Sequence, residues 1–171
     1  MAYKPRSGKL AGIVAVALAF CIVAAMQALA NGEGVPFKAV LTGTADWNLD
    51  LATSPRFQGT GTVTHMGLTA NEGIAYLDGL IETNACESGV GLPNMQTEVL
   101  TASNGDELVF EIVDLACQDP NDFFVFHGNG TWQVTGGTGR FANASGSGTM
   151  EGRADFAAGI FDCTLVGEVT Y

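Results

Sequence analysis

Most of the chain consists of short apolar runs separated by glycine-rich or Asn-Gly turns, and none of these runs has the period of an amphipathic helix. The clearest run is residues 37–49, in which Phe37, Leu41 and Trp47 fall on one face and polar residues fall on the other. A period of two is typical of a β-strand with one buried side. Residues 160–171 alternate in the same way. The pattern therefore predicts an all-β fold.

Eight such runs follow one another along the chain. They are residues 37–49, 57–68, 74–83, 95–102, 107–116, 123–135, 141–151 and 160–171. Eight consecutive strands with short connections predict an antiparallel up-and-down barrel, because closing the sheet removes its unpaired edges. A β-sandwich is the alternative architecture. An eight-stranded barrel has an interior that holds either side chains or one small ligand.

The first 30 residues predict a signal peptide rather than a part of the fold. Three basic residues precede an uncharged apolar run at residues 10–26, and residues 28–30 have the small-x-small pattern of a cleavage site. An uncleaved N-terminal anchor is the alternative. Cleavage would leave residues 31–171 as a single domain that is secreted or periplasmic, with no stable membrane insertion.

The predicted mature chain is strongly acidic. Three of the seven basic residues lie in the signal peptide, so four basic residues face eighteen acidic ones, a formal net charge of −14. Such a surface repels phosphate backbones and anionic membranes, so we exclude nucleic acid as a partner. Acidic residues near the long loops, Asp114 among them, are expected to form a solvated rim rather than a calcium site.

An up-and-down barrel sorts its connections alternately onto two ends. The loops at residues 50–55, 84–94, 117–122 and 155–159 are predicted at one end, and the tight turns at residues 69–73, 103–106 and 136–140 at the other. Cys86 and Cys117 both begin loops at the long-loop end, so we predict a disulfide between them in an oxidising compartment. Cys163 is then a free, buried thiol. Function is expected at the long-loop end.

A glycine corner joins the sixth and seventh runs. It contains Gly136, Gly137 and Gly139, followed by Arg140 and Phe141. A phosphate-binding loop requires a lysine and a following helix, and this corner has no lysine and leads into a predicted strand. We therefore interpret it as a structural turn that fixes the register between two strands.

The corner at residues 134–146 (VTGGTGRFANASG) resembles the one shared by the dirigent and allene oxide cyclase barrels, which are calycin-like folds. The closing run also suits the last strand of that superfamily, and the whole is similar to uncharacterised exported bacterial proteins of this type. The resemblance implies an eight-stranded barrel with an apolar cavity, often a homo-oligomer. It transfers no catalytic residue, because residues 37–49 lack the polar, charged stretch of the cyclases.

No catalytic constellation is recognisable, and neither His65 nor His127 has another ligand at a metal-binding spacing. We predict no metal and no cofactor, and lean against an enzyme. The first hypothesis is a barrel of unknown activity that binds a small apolar ligand, with Trp47, His65, Tyr76 and His127 as candidate ligand-binding residues. An isomerase or cyclase in which the barrel fixes the substrate conformation is the second. The third is a structural or interaction protein with a filled core.

Overall fold

A computed structural model describes residues 34–47 and 54–171 of the chain, and the predicted signal peptide lies outside these residues. The described residues form nine strands and one short 3₁₀ turn. The strands are β1 (Val35–Ala45), β2 (Arg56–Val63), β3 (Gly67–Leu77), β4 (Ile81–Glu82), β5 (Val90–Ala102), β6 (Glu107–Asp119), β7 (Asp122–Gly137), β8 (Ser145–Asp155) and β9 (Ile160–Thr170). Within the same residues there is no helix of the length and hydropathy needed to cross a membrane.

The sheet closes on itself as an antiparallel barrel. Neighbouring strands follow the order β3-β2-β1-β9-β8-β7-β6-β5, and β3 pairs with β5 to complete the circle. The two-residue strand β4 pairs only with the start of β5 and is an addition to the eight barrel strands. The predicted all-β, up-and-down, eight-stranded barrel is confirmed, and the β-sandwich alternative is wrong because this sheet has no opposite layer.

One predicted turn is wrong. Residues 69–73 lie inside β3, and the chain reverses earlier, at residues 64–66. This stretch is polar and ends in glycine, which is typical of a turn, but Thr69 and Asn71 face the interior and are buried. Asn71 is accommodated there because its Nδ2 donates a hydrogen bond to Glu98 Oε1 at 2.9 Å.

Other connections are shorter than predicted. The loop expected at residues 117–122 is reduced to residues 120–121, since β6 continues through Asp119 and β7 begins at Asp122. The loop expected at residues 84–94 ends where β5 begins, at Val90. The connections predicted at residues 103–106 and 155–159 are present, whereas most of the loop predicted at residues 50–55 lies outside the described residues.

The glycine corner forms a tight turn at the closed end of the barrel. Phe141 lies in the 3₁₀ turn Gly139–Phe141 rather than at the start of a strand. Its neighbour Arg140 donates a hydrogen bond from Nη2 to the carbonyl oxygen of His65 at 2.7 Å, and its Nε lies 3.7 Å from Asp106 Oδ2. Arg140 therefore connects all three tight turns of this end.

The half of the interior nearest the tight turns is a packed aromatic core. The rings of Phe37, Phe110 and Trp132 contact one another with centroid separations of 5.2 to 5.6 Å. A Cβ at Gly148 or Gly167 would come within 2.8 or 2.7 Å of the Trp132 indole. Glycine at these strand positions therefore leaves the space in which the indole lies.

The predicted disulfide is present. Cys86, in the connection between β4 and β5, is bonded to Cys117 of β6, with Cα atoms 5.3 Å apart. Cys163 on β9 is free. The bond attaches the longest described connection of the long-loop end to the barrel wall. Disulfides form and persist in oxidising compartments.

Replacing both Cys86 and Cys117 with alanine is expected to lower the free energy of unfolding by about 3 kcal/mol, because the crosslink restricts the unfolded chain. Guanidinium unfolding without reductant measures the change. Reductant should destabilise the wild type by a similar amount and leave the double variant unaffected. Equal stability of the two proteins without reductant would contradict the prediction.

Candidate functional site

A cavity of about 70 Å³ lies inside the barrel, in the half nearest the long-loop end. It lies between the packed aromatic core and a smaller apolar cluster formed by Leu92, Phe126 and Phe156 at the long-loop end, with Trp47 packed against that cluster. Larger concavities, of about 490 and 600 Å³, are grooves on the outer wall. The interior cavity is the better candidate site because it lies inside the barrel and combines a mainly apolar lining with a few polar side chains.

Aromatic side chains form a large part of the apolar wall of the cavity. Five rings contribute to it, those of Trp47, Phe57, Phe126, Phe156 and Phe161. Trp47 stacks on Phe156 with a centroid distance of 4.6 Å, and Phe126 packs on Phe156 at 5.1 Å. Trp47 Nε1 is buried and has no hydrogen-bond partner among the described residues. The wall therefore offers ring faces to a ligand together with one N–H donor.

A carboxyl group, that of Asp114 on β6, lines this apolar cavity. Asp114 is buried, with 7% of its surface exposed. Oδ1 accepts hydrogen bonds from Asn94 Nδ2 at 2.9 Å and from Gln96 Nε2 at 3.3 Å. Burial raises the pKa of Asp114 to about 6, against the opposing effect of the bonds from Gln96 and Asn94. The carboxyl is thus held in place by neutral amides and titrates near physiological pH.

The second oxygen of Asp114 is available to a ligand. Within the described residues no hydrogen bond to Oδ2 is found, and a Cβ at Gly128 would lie 2.7 Å from this atom. Glycine at position 128 therefore leaves the space in which the Asp114 carboxyl lies. Asn94 Oδ1 is also buried without a partner in the described part of the chain. Two acceptor atoms are left for a donor that these residues do not supply.

A second carboxyl, that of Glu98, lies deeper in the barrel and does not line the cavity. It is 1% exposed, and its only described side-chain partner is Asn71. Burial raises the pKa of Glu98 to about 7, and the hydrogen bond from Asn71 opposes the rise. Glu98 is therefore a mixture of its neutral and ionised forms near neutral pH.

Cys163 lines the cavity from β9. Burial raises the pKa of this thiol well above its ordinary value, and the negative charges of Glu98, Asp162 and Asp114 raise it further. The thiolate is the nucleophilic form of cysteine. Cys163 is consequently a poor nucleophile in this structure, even though it faces the same space as Asp114.

Of the four residues predicted to bind a ligand, Trp47 lines the cavity and the others lie elsewhere. His65 lies in the exposed turn between β2 and β3, with Nε2 3.2 Å from the carbonyl oxygen of Pro36. His127 is on the outer face, with Nε2 3.1 Å from Asp119 Oδ2. Tyr76 is 41% exposed and lines an outer groove. The structure does not bring these three side chains to the cavity.

No family model matches the chain, and neither a curated protein nor a solved structure gives a significant match. Chemistry must therefore be inferred from the cavity itself. In the residues that the structure describes, no three histidine, cysteine, aspartate or glutamate side chains come together as a metal site. The cavity provides Asn94 Oδ1 as a hydrogen-bond acceptor, the Asp114 carboxyl as a proton acceptor near neutral pH, and five aromatic rings.

The polar residues of the cavity were missed by the sequence analysis. Asp114 was expected in a solvated acidic rim. It lies inside the barrel because β6 carries it on the same face as Phe110 and Ile112. Asn94, Gln96 and Glu98 alternate with period two on β5 and share their face with Leu100. In the sequence, these three polar residues continue the same alternation as the apolar Leu100 and Ala102. This pattern could have predicted that their side chains face the interior of the barrel.

Proposed function

We propose that the protein is a small-molecule-binding barrel whose ligand is compact and mainly apolar and carries one hydrogen-bonding group. The observation that carries this proposal is the cavity inside the barrel, with five aromatic rings and the Asp114 carboxyl on its wall. Binding sites of this kind combine an apolar lining with a few placed polar groups. The unpartnered Asn94 Oδ1 supports it, since buried polar atoms without partners are uncommon in folded proteins.

The size of the cavity limits the ligand. A volume of about 70 Å³ is several times the space of about 10–15 Å³ that a single water molecule requires. A ligand of a few non-hydrogen atoms fits this space without rearrangement. A larger one requires the side chains that line the cavity to move apart, among them the stacked rings of Trp47 and Phe156.

Native mass spectrometry of protein purified from its source tests the proposal. We expect a small-molecule adduct that is released on denaturation. The variant Ala116→Leu adds volume on the cavity wall and should lower the fraction of protein that carries the adduct. Val113→Leu lies on the exposed face of the same strand and should leave that fraction unchanged. Wild-type protein without an adduct would favour a structural role with a filled core.

An acid–base enzyme, such as an isomerase or cyclase, is the second candidate function. It is supported by the Asp114 carboxyl, whose pKa of about 6 suits a general base at neutral pH. The resemblance of the glycine corner to allene oxide cyclase barrels points in the same direction. Asp114→Asn distinguishes the two functions, since it would abolish turnover in an enzyme but only change affinity in a binding protein.

We further propose that the barrel is secreted or periplasmic after cleavage of the predicted signal peptide. The Cys86–Cys117 disulfide supports export, because such bonds form and persist in oxidising compartments. A homo-oligomer remains a prediction from the family resemblance. The acidic surface supports the absence of a nucleic-acid partner.

A further inference from the structure

We propose that the ligand of the cavity is a small organic cation, an amine or alkylammonium of a few non-hydrogen atoms, with Asp114 as its counterion. This inference rests on the proposed function, that the cavity binds a small molecule. It specifies the chemical class of that molecule from the charges, the unpartnered atoms and the rings that surround the space.

The interior of the described barrel contains carboxyl groups but no cation to match them. Asp114 and Glu98 are both buried, and their side-chain hydrogen-bond donors are neutral amides. Of the basic side chains, Lys38, Arg56 and Arg140 are exposed. Arg153 reaches the edge of the cavity, but its Nη2 is engaged with Asp155 Oδ2 at 3.2 Å.

A buried carboxylate without a positive partner is costly, because it has lost its hydration without gaining a counterion. A cationic ligand in the cavity would supply the missing charge beside Asp114 Oδ2, which accepts no hydrogen bond within the described residues. An anionic ligand would add a second negative charge beside the first. The cavity therefore discriminates by charge as well as by size.

Two oxygens of the cavity residues call for a hydrogen-bond donor. Asn94 Oδ1 is buried without a partner, and Asp114 Oδ2 accepts no hydrogen bond within the described residues. An ammonium group carries N–H donors and no acceptor, so it would satisfy these oxygens and leave Trp47 Nε1 as it is. A hydrocarbon would leave both oxygens unpaired. Hydrogen bonds between an ammonium and a carboxylate are stronger than those between neutral groups, so this pairing would contribute more than an alcohol does.

The aromatic wall suits the same ligand. A cation close to the face of an aromatic ring is attracted by the ring quadrupole, most strongly by tryptophan. Trp47 and Phe156 lie at one end of the cavity, and three further phenylalanine rings line it. The alkyl part of an amine would pack on these rings while its nitrogen reaches Asp114. The acidic surface also attracts cations to the protein before they enter.

Three probes of similar size and different charge test the proposal: propylammonium, propan-1-ol and propionate. Calorimetric titration at pH 8 and fixed ionic strength measures their affinities, since Asp114 is ionised there. We expect propylammonium to bind at least about tenfold more tightly than propan-1-ol, and propionate not to bind. Equal binding of the amine and the alcohol would overturn the cationic ligand and leave the proposed function standing. Binding of none of the probes would count against both.

Two isosteric variants locate the effect. Asp114→Asn should abolish the preference for propylammonium and keep the binding of propan-1-ol. Glu98→Gln removes the other buried carboxyl, which does not line the cavity, and should retain the preference. If Glu98→Gln alone removed the preference, the role of Asp114 as counterion would be wrong. Near-ultraviolet circular dichroism confirms that each variant keeps its fold.

Discussion

The variant Gly137→Val is expected not to accumulate as a folded protein. A Cβ at this position would lie 2.5 Å from the carbonyl oxygen of Phe141 and 2.7 Å from that of Glu107. Both atoms belong to the backbone, so neither can move without displacing the turn or the start of β6. The amide of Thr138 also bonds to Glu107 O at 2.9 Å, which holds the turn against that strand. Overpacking of this kind costs about 3 kcal/mol or more.

Gly136 is the matched control for this prediction. It is adjacent in sequence, but a Cβ there would meet no atom within 4 Å and its backbone does not require glycine. Gly136→Val should therefore fold with nearly wild-type stability. Soluble yield and thermal unfolding of the two variants provide the comparison. A folded Gly137→Val protein that had lost only ligand binding would show that the corner belongs to the site rather than to the fold.

Gly139→Val is expected to fail for an additional reason. Gly139 has a φ of 55°, in the left-handed region that side-chain-bearing residues avoid, and a Cβ there would overlap Asp106 Oδ1. Together these two positions explain why the corner could be interpreted from sequence as structural. The constraint arises within the tight-turn end, from backbone atoms of Phe141 and Glu107 and from the Asp106 side chain.

The barrel was predictable because its strands alternate. Residues 37–49 and 160–171 show period two clearly, and the structure pairs β1 with β9 in the antiparallel sense. The disulfide was predictable because loop order alone places Cys86 and Cys117 at one end. The turn at residues 69–73 was mispredicted because Asn71 looks like a turn residue, and only its bond to Glu98, 27 positions away, makes it a buried strand residue.

The site was less predictable than the fold. A histidine carries recognisable chemistry wherever it lies, so His65 and His127 were candidates, but sequence does not show which face of a strand lines a cavity. Asp114 lies within the predicted run at residues 107–116, and it becomes a cavity residue only through the register that sets Asn94 opposite it on β5. A cavity is a property of several strands together.

The barrel is expected to become less stable as the pH rises from 5 to 8. The pKa of Glu98 is raised from 4.5 to about 7 and that of Asp114 from 3.8 to about 6, both mainly by burial. The folded state therefore holds two protons that the unfolded chain has released by pH 5. Their stabilising effect is complete below the unfolded pKa values and is lost as the pH passes through 6 and 7. The loss in unfolding free energy is about 4 kcal/mol for the two groups together.

Glu98→Gln separates this effect from general charge repulsion. The substitution keeps the shape of the side chain and an acceptor for Asn71 Nδ2, but it has no proton to lose. Urea unfolding at pH 5 and pH 8 should show a pH-dependent loss about 2 kcal/mol smaller than that of the wild type, so the variant should be the more stable protein at pH 8. Glu151→Gln, at an exposed position on β8, should retain the full wild-type loss. A wild type that is equally stable at pH 5 and pH 8 would contradict the prediction and would indicate that a positive partner compensates the interior carboxyls in solution. For Asp114, a cation bound in the cavity would be such a partner.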